Sequence, residues 1–229
     1  MRAVIREPLL AAEDAELNVQ TLTVGAFQEN CYLLVDEKSR RAVIVDPGSE
    51  GERLVEAIEA CGAELEAIWI THAHVDHVGA IAPVKKRWDV PVFLHPADLR
   101  LYQAAGRQAQ VYGVPFEEPP PPDREFADGQ TVTLGDLEFR VMHTPGHAPG
   151  HVVIHGHGLA IVGDCLFAGS IGRTDLPFSN PAQLASSLEK IAALPVETVI
   201  YPGHGMDSTI GEERASNPFL NGSARIVQK

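Results

Sequence analysis

The chain has 229 residues, 45% of them hydrophobic and 21% charged, which suits one compact domain with a filled core and excludes collagen, coiled coil and wholesale disorder. Asp and Glu outnumber Lys and Arg by 31 to 18, a formal charge of −13, and a surface that acidic repels a phosphate backbone. No nucleic-acid partner is expected. In chain order, apolar and β-branched runs predict strands over residues 19–24, 31–35 and 42–45, the third closed by the turn Asp46-Pro47-Gly48-Ser49. Leu54, Val55 and Ile58 recur at helical spacing before the stop signal Gly62. A strand over 67–70 runs directly into Thr71-His72. A helix over 77–88 follows, with Pro83 as a possible irregularity, then a strand over 92–94 and a helix over 97–111.

The run Pro119 to Pro122 reads as a stiff surface connection, because the strand-rich style of the chain resumes after it. Strands are predicted over 131–134, 137–142, 152–154 and 159–162. A helix over 181–194 has Asn180 as its cap and Pro181 in its first turn, and a last strand covers 198–201. No period of 20–50 residues points to a solenoid or propeller. The mixture predicts a layered α/β architecture, with residues 1–229 as one domain whose core spans about 19–220.

No apolar run approaches the ~20 residues that span a bilayer, so no membrane partner is expected. The amino-terminal stretch carries Arg2 and Arg6 but is broken by Glu7, Glu13, Asp14 and Glu16, unlike a secretory leader. Cys31, Cys61 and Cys165 are odd in number and widely spaced, which predicts reduced thiols and no disulfide framework. A cytoplasmic location is the expectation.

Ten His in such a chain are the informative feature. Thr71-His72-Ala73-His74-Val75-Asp76-His77 places three His and one Asp directly after a strand. His72 and His74 can share a face while the backbone stays extended, and Asp76 and His77 then point elsewhere as the chain turns. Packed without a cation, each buried imidazole would need a partner and the carboxylate a counter-charge. Nitrogen and oxygen donors without Cys suit zinc, iron or manganese, and argue against a closed structural zinc site. Three further pieces each end a predicted strand: Thr144-Pro145-Gly146-His147, Gly163-Asp164 and Pro202-Gly203-His204-Gly205. Their Gly and Pro make tight turns that aim short side chains from the strand ends.

In this order the motifs THAHVDH, TPGH, GD and PGHG resemble those of the metallo-β-lactamase-fold hydrolase superfamily, over about residues 21–220. Asn30-Cys31-Tyr32, Asp46-Pro47-Gly48, Gly172-Arg173-Thr174-Asp175 and Ser216-Asn217-Pro218-Phe219 are similar to the short bacterial members of its glyoxalase II group. The resemblance implies an α/β fold, an αββα four-layer sandwich, with two divalent metal ions at one edge of the sheets. It implies that His72, His74 and His147 hold the first metal, that Asp76, His77 and His204 hold the second, and that Asp164 bridges them. Asp46 is either a support behind the ligands or a purely structural residue. Arg173 either meets a substrate carboxylate or shapes its loop by pairing with Asp175. His143 and His151 are expected to line or support the site, and His95, His155 and His157 to play no part in it.

A hydroxide shared by two divalent cations is a nucleophile near neutral pH, and the same cations polarise a carbonyl and stabilise its oxyanion. A thiolate leaves readily, so hydrolysis of a small thioester such as S-lactoylglutathione needs few further groups beyond Asp76 and Asp164. Zinc is the first assignment for the metal, with iron and manganese as alternatives. Cys165 adjoins Asp164, but neighbours on an extended segment face opposite ways, so Cys165 should face the core rather than act as a nucleophile. About 25 residues follow His204, too few for the helical extension that carries much of the glutathione site in the long glyoxalase II enzymes. A persulfide dioxygenase with a single iron shares most of these ligands and is the main alternative. A lactonase or β-lactamase ranks below it, and a flavodiiron-type module or an RNA-processing enzyme lower still.

Overall fold

All eight residues of the strand Glu29–Asp36 are buried, because both of its faces are covered. Tyr32 and Leu34 point into the space between two sheets, while Leu33 and Val35 point the other way, toward helices. The computed structural model describes residues 17–226. The amino-terminal stretch, expected not to be a secretory leader, lies outside those residues.

Strands β1 (Leu17–Val24), β2 (Glu29–Asp36) and β3 (Arg41–Val45) are antiparallel neighbours. Helix α1 (Gly51–Cys61) then crosses to β4 (Glu64–Trp69), which is parallel to β3. Two short helices, α2 (Val75–Val78) and α3 (Ile81–Arg87), lead to β5 (Val92–Leu94), parallel to β4. A 3-10 turn at Pro96–Asp98 opens α4 (Leu99–Tyr112), and β6 (Arg124–Glu125) completes the first six-stranded sheet. Strands β7 (Thr131–Leu134), β8 (Leu137–His143), β9 (Val152–Gly156) and β10 (Leu159–Gly163) form an antiparallel meander. The hairpin β11 (Leu166–Phe167) and β12 (Ser170–Ile171) stands apart. After α5 (Pro181–Ala192), β13 (Val199–Pro202) joins β10 in parallel, β14 (Ser208–Thr209) pairs with β13, and α6 (Ile210–Ser216) follows.

Three apolar clusters give the layer order. Val43, Val45 and Trp69 of the first sheet meet Phe139, Val141 and Ile161 of the second, with Trp69 and Phe139 edge to face at 5.7 Å. Ile44 and Ile68, on the other face of the first sheet, pack under Leu54, Ile81 and Leu101 of the helices. Val153, Val162 and Ile200 on the outer face of the second sheet pack under Leu184, Leu188 and Ile191 of α5. The fold is therefore a four-layer α/β/β/α sandwich, as the motifs imply. No helix among the described residues is long and apolar enough to cross a membrane, and the three Cys are free thiols.

This topology places the motifs together. Strands β3, β4 and β5 run in one direction, as do β8, β10 and β13, so within each sheet their carboxyl ends lie along one edge. The two sheets are tied at the motifs: Val152 N–H donates to Thr71 C=O at 2.8 Å and Asn30 N–H to Gly203 C=O at 2.8 Å.

The predicted helix over 77–88 is two helices. Its break lies at Gly79-Ala80, not at Pro83: Ala80 N–H donates to Pro47 C=O at 2.8 Å, and a Cβ on Gly79 would lie 2.4 Å from Gly48 C=O. Pro83 falls in the first turn of α3, where its missing N–H costs nothing. Asn180 caps α5 as expected, accepting from Ala182 N–H and Gln183 N–H at 3.0 and 3.1 Å. In the proline run Pro119 is buried, Pro120 and Pro121 are exposed, and Tyr102 Oη donates to Pro120 C=O at 2.8 Å.

Candidate metal centre

Strand β4 delivers Thr71 to His77 to the shared edge, and a buried carboxylate holds that loop in shape. Asp46, in the left-handed region at φ 50° just after β3, accepts from Thr71 N–H at 2.7 Å and Thr71 Oγ1 at 2.5 Å. The same Oδ2 is 2.9 Å from His77 Nδ1. With its proton committed to Asp46, Thr71 Oγ1 accepts from His72 Nδ1 at 3.2 Å. Both imidazoles are thereby fixed with Nδ1 outward and Nε2 turned in, the orientation that a partner behind a ligand imposes. His147 is set the same way, since its Nδ1 donates to the backbone carbonyl of Arg173 at 2.9 Å.

Donor atoms of His72, His74 and His147 lie within 4.8 Å of one another, and so do those of Asp76, His77 and His204. His74 Nδ1 and His147 Nε2 approach to 2.9 Å, and His204 Nε2 lies 3.4 Å from Asp76 Oδ2. Asp164, 8% exposed at the end of β10, stands between the groups. Its Oδ1 is 3.5 Å from His77 Nε2, while its Oδ2 is 3.5 Å from His147 Nε2 and 3.6 Å from His204 Nε2. All seven residues expected at the site thus converge on one point. Close approach makes Gly203 of PGHG necessary, because a Cβ there would lie 2.2 Å from Asp164 Oδ1.

The donor set fits divalent cations. His72 Nε2, His77 Nε2 and Asp164 Oδ1 are buried and have no hydrogen-bond partner, which is costly for polar atoms left to themselves. Burial lowers the pKa of His72 and His147, and burial together with the His147 imidazole brings His74 down to about 3, so these rings are neutral and offer lone pairs. His77 moves up: burial opposes its charge, but Asp164 and Asp46 outweigh it. Burial opposes the charge of Asp164, but His77 outweighs it and holds the carboxyl well below the usual range.

Of the other sequence candidates, His151 supports the site. It is buried, stacks on His72 with ring centroids 5.1 Å apart, and accepts from Asp164 N–H at 3.0 Å. His143 stacks on His95 at 4.1 Å, away from the cluster. Cys165 faces the core as expected, 3.2 Å from Thr144 C=O, and burial pushes its thiol up to about 12. Asp46 supports two ligands. Arg173 lines the cavity over the cluster, and its guanidinium donates to both carboxylate oxygens of Asp175 at 2.7 and 2.9 Å.

Sequence reasoning missed two buried acids. Asp98 accepts from Ala73 N–H at 2.9 Å and Gly150 N–H at 2.5 Å, joining the loop of His72 and His74 to the loop of His147. An acid opening a predicted helix reads as an ordinary cap, and nothing in the sequence separates it from one. Glu29 is 1% exposed, lies 3.9 Å from His77 Nδ1, and has no partner for either oxygen, so burial raises its pKa well above the usual range. Over the cluster opens a cavity of about 630 Å³, bordered by α4 and by residues 170–178.

A four-layer sandwich with this His and Asp cluster at its edge defines the class. The chain belongs to the metallo-beta-lactamase superfamily, whose pattern it matches over residues 24–204. The members of that superfamily are metal-dependent hydrolases. The chain is 40% identical to hydroxyacylglutathione hydrolase GloC of Haemophilus influenzae, over 90% of this chain and 99% of the relative. It is also similar to the crystal structure of BLEG-1 B3 metallo-beta-lactamase, with a TM-score of 0.84 and 36% identity over 90% of this chain and 100% of the other. A further similar structure, TTHA1623 in a di-iron-bound form, has a TM-score of 0.80 and 42% identity, covering 87% of this chain and 99% of that one.

Proposed function

We propose that the chain is a hydrolase that holds two divalent cations and cleaves a thioester such as S-lactoylglutathione. The observation that carries this reading is Asp164, one oxygen of which faces His77 while the other faces His147 and His204. His72, His74 and His147 would hold one cation, Asp76, His77 and His204 the other, and Asp164 both. Bound there, the cations supply Lewis acidity toward a carbonyl and lower the pKa of water toward ~7.

The chain's own residues do the rest. Asp46, Thr71 and the Arg173 carbonyl fix the ring orientations. Asp76, at the cavity floor beside His204, is placed to take the proton released by the attacking water at Oδ2. The leaving thiolate is stable enough to need no dedicated acid, and apart from the floor the cavity is lined mainly by apolar side chains. Zinc is our assignment for both cations on donor type. Iron satisfies the same donors, and the similar di-iron structure supports it.

Two cations engage both donor trios, whereas a single iron leaves one of them idle, and this favours the two-cation hydrolase over a persulfide dioxygenase. The similarity to BLEG-1 supports one second reading, a lactam substrate, since the same cations polarise a lactam carbonyl. Thiol release from S-lactoylglutathione by metal-loaded protein, beside nitrocefin turnover, separates the two. Loaded protein should release thiol, and Asp164→Ala should cut the rate by at least about 100-fold. Thiol release at the parental rate in that variant, or oxygen uptake with glutathione persulfide by protein holding one iron, overturns the reading.

A further inference from the structure

The cavity over the cluster has a polar floor and two unlike walls. Leu101, Ala104, Gln108 and Val111 recur at helical spacing, so one face of α4 looks into it. Gln108 is spoken for, because its Oε1 accepts from Val75 N–H at 3.1 Å. Val111, Tyr112 and Phe178 line the cavity while 81%, 50% and 50% exposed, and Phe27 meets Tyr112 edge to face at 5.3 Å. Large apolar side chains gathered in water around one opening mark a surface made to be covered.

Two guanidinium groups line the same cavity, and they are not equivalent. Arg173 is neutralised within its own loop by two hydrogen bonds to Asp175. Arg107, exposed on α4, makes no hydrogen bond or ion pair among the described residues. Away from the floor it is the one lining charge that has no counter-charge among the described residues. On a chain of formal charge −13, such a cation attracts an anion where most of the surface repels one. A lone guanidinium offers two parallel N–H groups, which match the two oxygens of a carboxylate.

We infer that the site takes a substrate with an apolar body lying along α4 and one carboxylate seated on Arg107, so that Arg107 rather than Arg173 selects for an anionic substrate. The inference rests on the hydrolase reading for the reacting group alone.

Two non-hydrolysable thioethers of equal length test this, one ending in a carboxylate and the other in the matching carboxamide. Each is titrated calorimetrically into metal-loaded protein. The parent should bind the acid about 5- to 10-fold tighter than the amide. Arg107→Ala should abolish that preference while holding amide affinity within about twofold, Arg107→Glu should reverse it, and Arg173→Ala should keep it. No preference in the parent, a preference that survives Arg107→Ala, or one lost in Arg173→Ala overturns the inference. Turnover of the corresponding thioester is measured separately. Binding that discriminates through Arg107 without thiol release removes the hydrolase reading and leaves the Arg107 assignment standing.

Discussion

Asp46 Oδ2 lies 2.9 Å from His77 Nδ1, and the opposite nitrogen of that ring faces Asp164 Oδ1 at 3.5 Å. One carboxylate thus sets the direction in which the ring offers its lone pair. Asp46→Asn keeps the shape but turns an N–H₂ toward either Thr71 or His77. The second cation should then bind about 10- to 100-fold more weakly, and the first should change less. Chelator competition resolves the two sites, and unchanged affinity at both contradicts the role given to Asp46.

Asp98 joins two ligand loops through Ala73 N–H and Gly150 N–H. Asp98→Ala strands both donors in a buried place, at about 1–3 kcal/mol for each. The cation held by His72, His74 and His147 should be lost at about 10-fold lower chelator concentration. Equal retention in parent and variant contradicts the coupling.

Burial raises the Asp98 carboxyl to about 6, against the two N–H groups that favour its ionised form. The unfolded carboxyl titrates near ~3.9, so between about pH 4 and pH 6 the folded chain holds a proton that the unfolded chain has released. This contribution to stability is full below about pH 4 and is lost as pH rises through about 6. Urea denaturation of the metal-free protein across that window should show it as a slope of at most ~1.4 kcal/mol per pH unit, absent from Asp98→Asn. Identical slopes in the two proteins contradict the assignment.

Much of the site was legible because each ligand motif is a strand end followed by a tight turn, and the His and Asp between the Gly and Pro have few other uses. The mixture of predicted strands and helices gave a layered α/β architecture, while the order of the four layers came from the motifs' resemblance to a known family. Strands β6, β11, β12 and β14, two residues each, have no period to read. Helix α6 was missed although Thr209 and Glu212 form its capping box. Asp98, Glu29 and Arg107 were illegible for a different reason. Burial, or the absence of an ion-pair partner, gives them meaning, and neither belongs to local sequence.

Gly203 admits Asp164 and His77 to the space its own side chain would fill. A Cβ at Gly203 would stand 2.7 Å from His77 Cε1 as well as 2.2 Å from Asp164 Oδ1. Gly203→Ala should keep the far-ultraviolet dichroism of the parent and lose at least one cation per chain, with turnover falling accordingly. Full loading and parental turnover in the variant would show that the approach is not needed.

The most direct measurement is metal content at saturation, by elemental analysis of the parent beside Asp164→Ala and His204→Ala. Two cations per parent chain, with His204→Ala keeping one and Asp164→Ala weakening both, is the predicted result. A parent that saturates at one cation per chain, with His204→Ala unchanged, would contradict it.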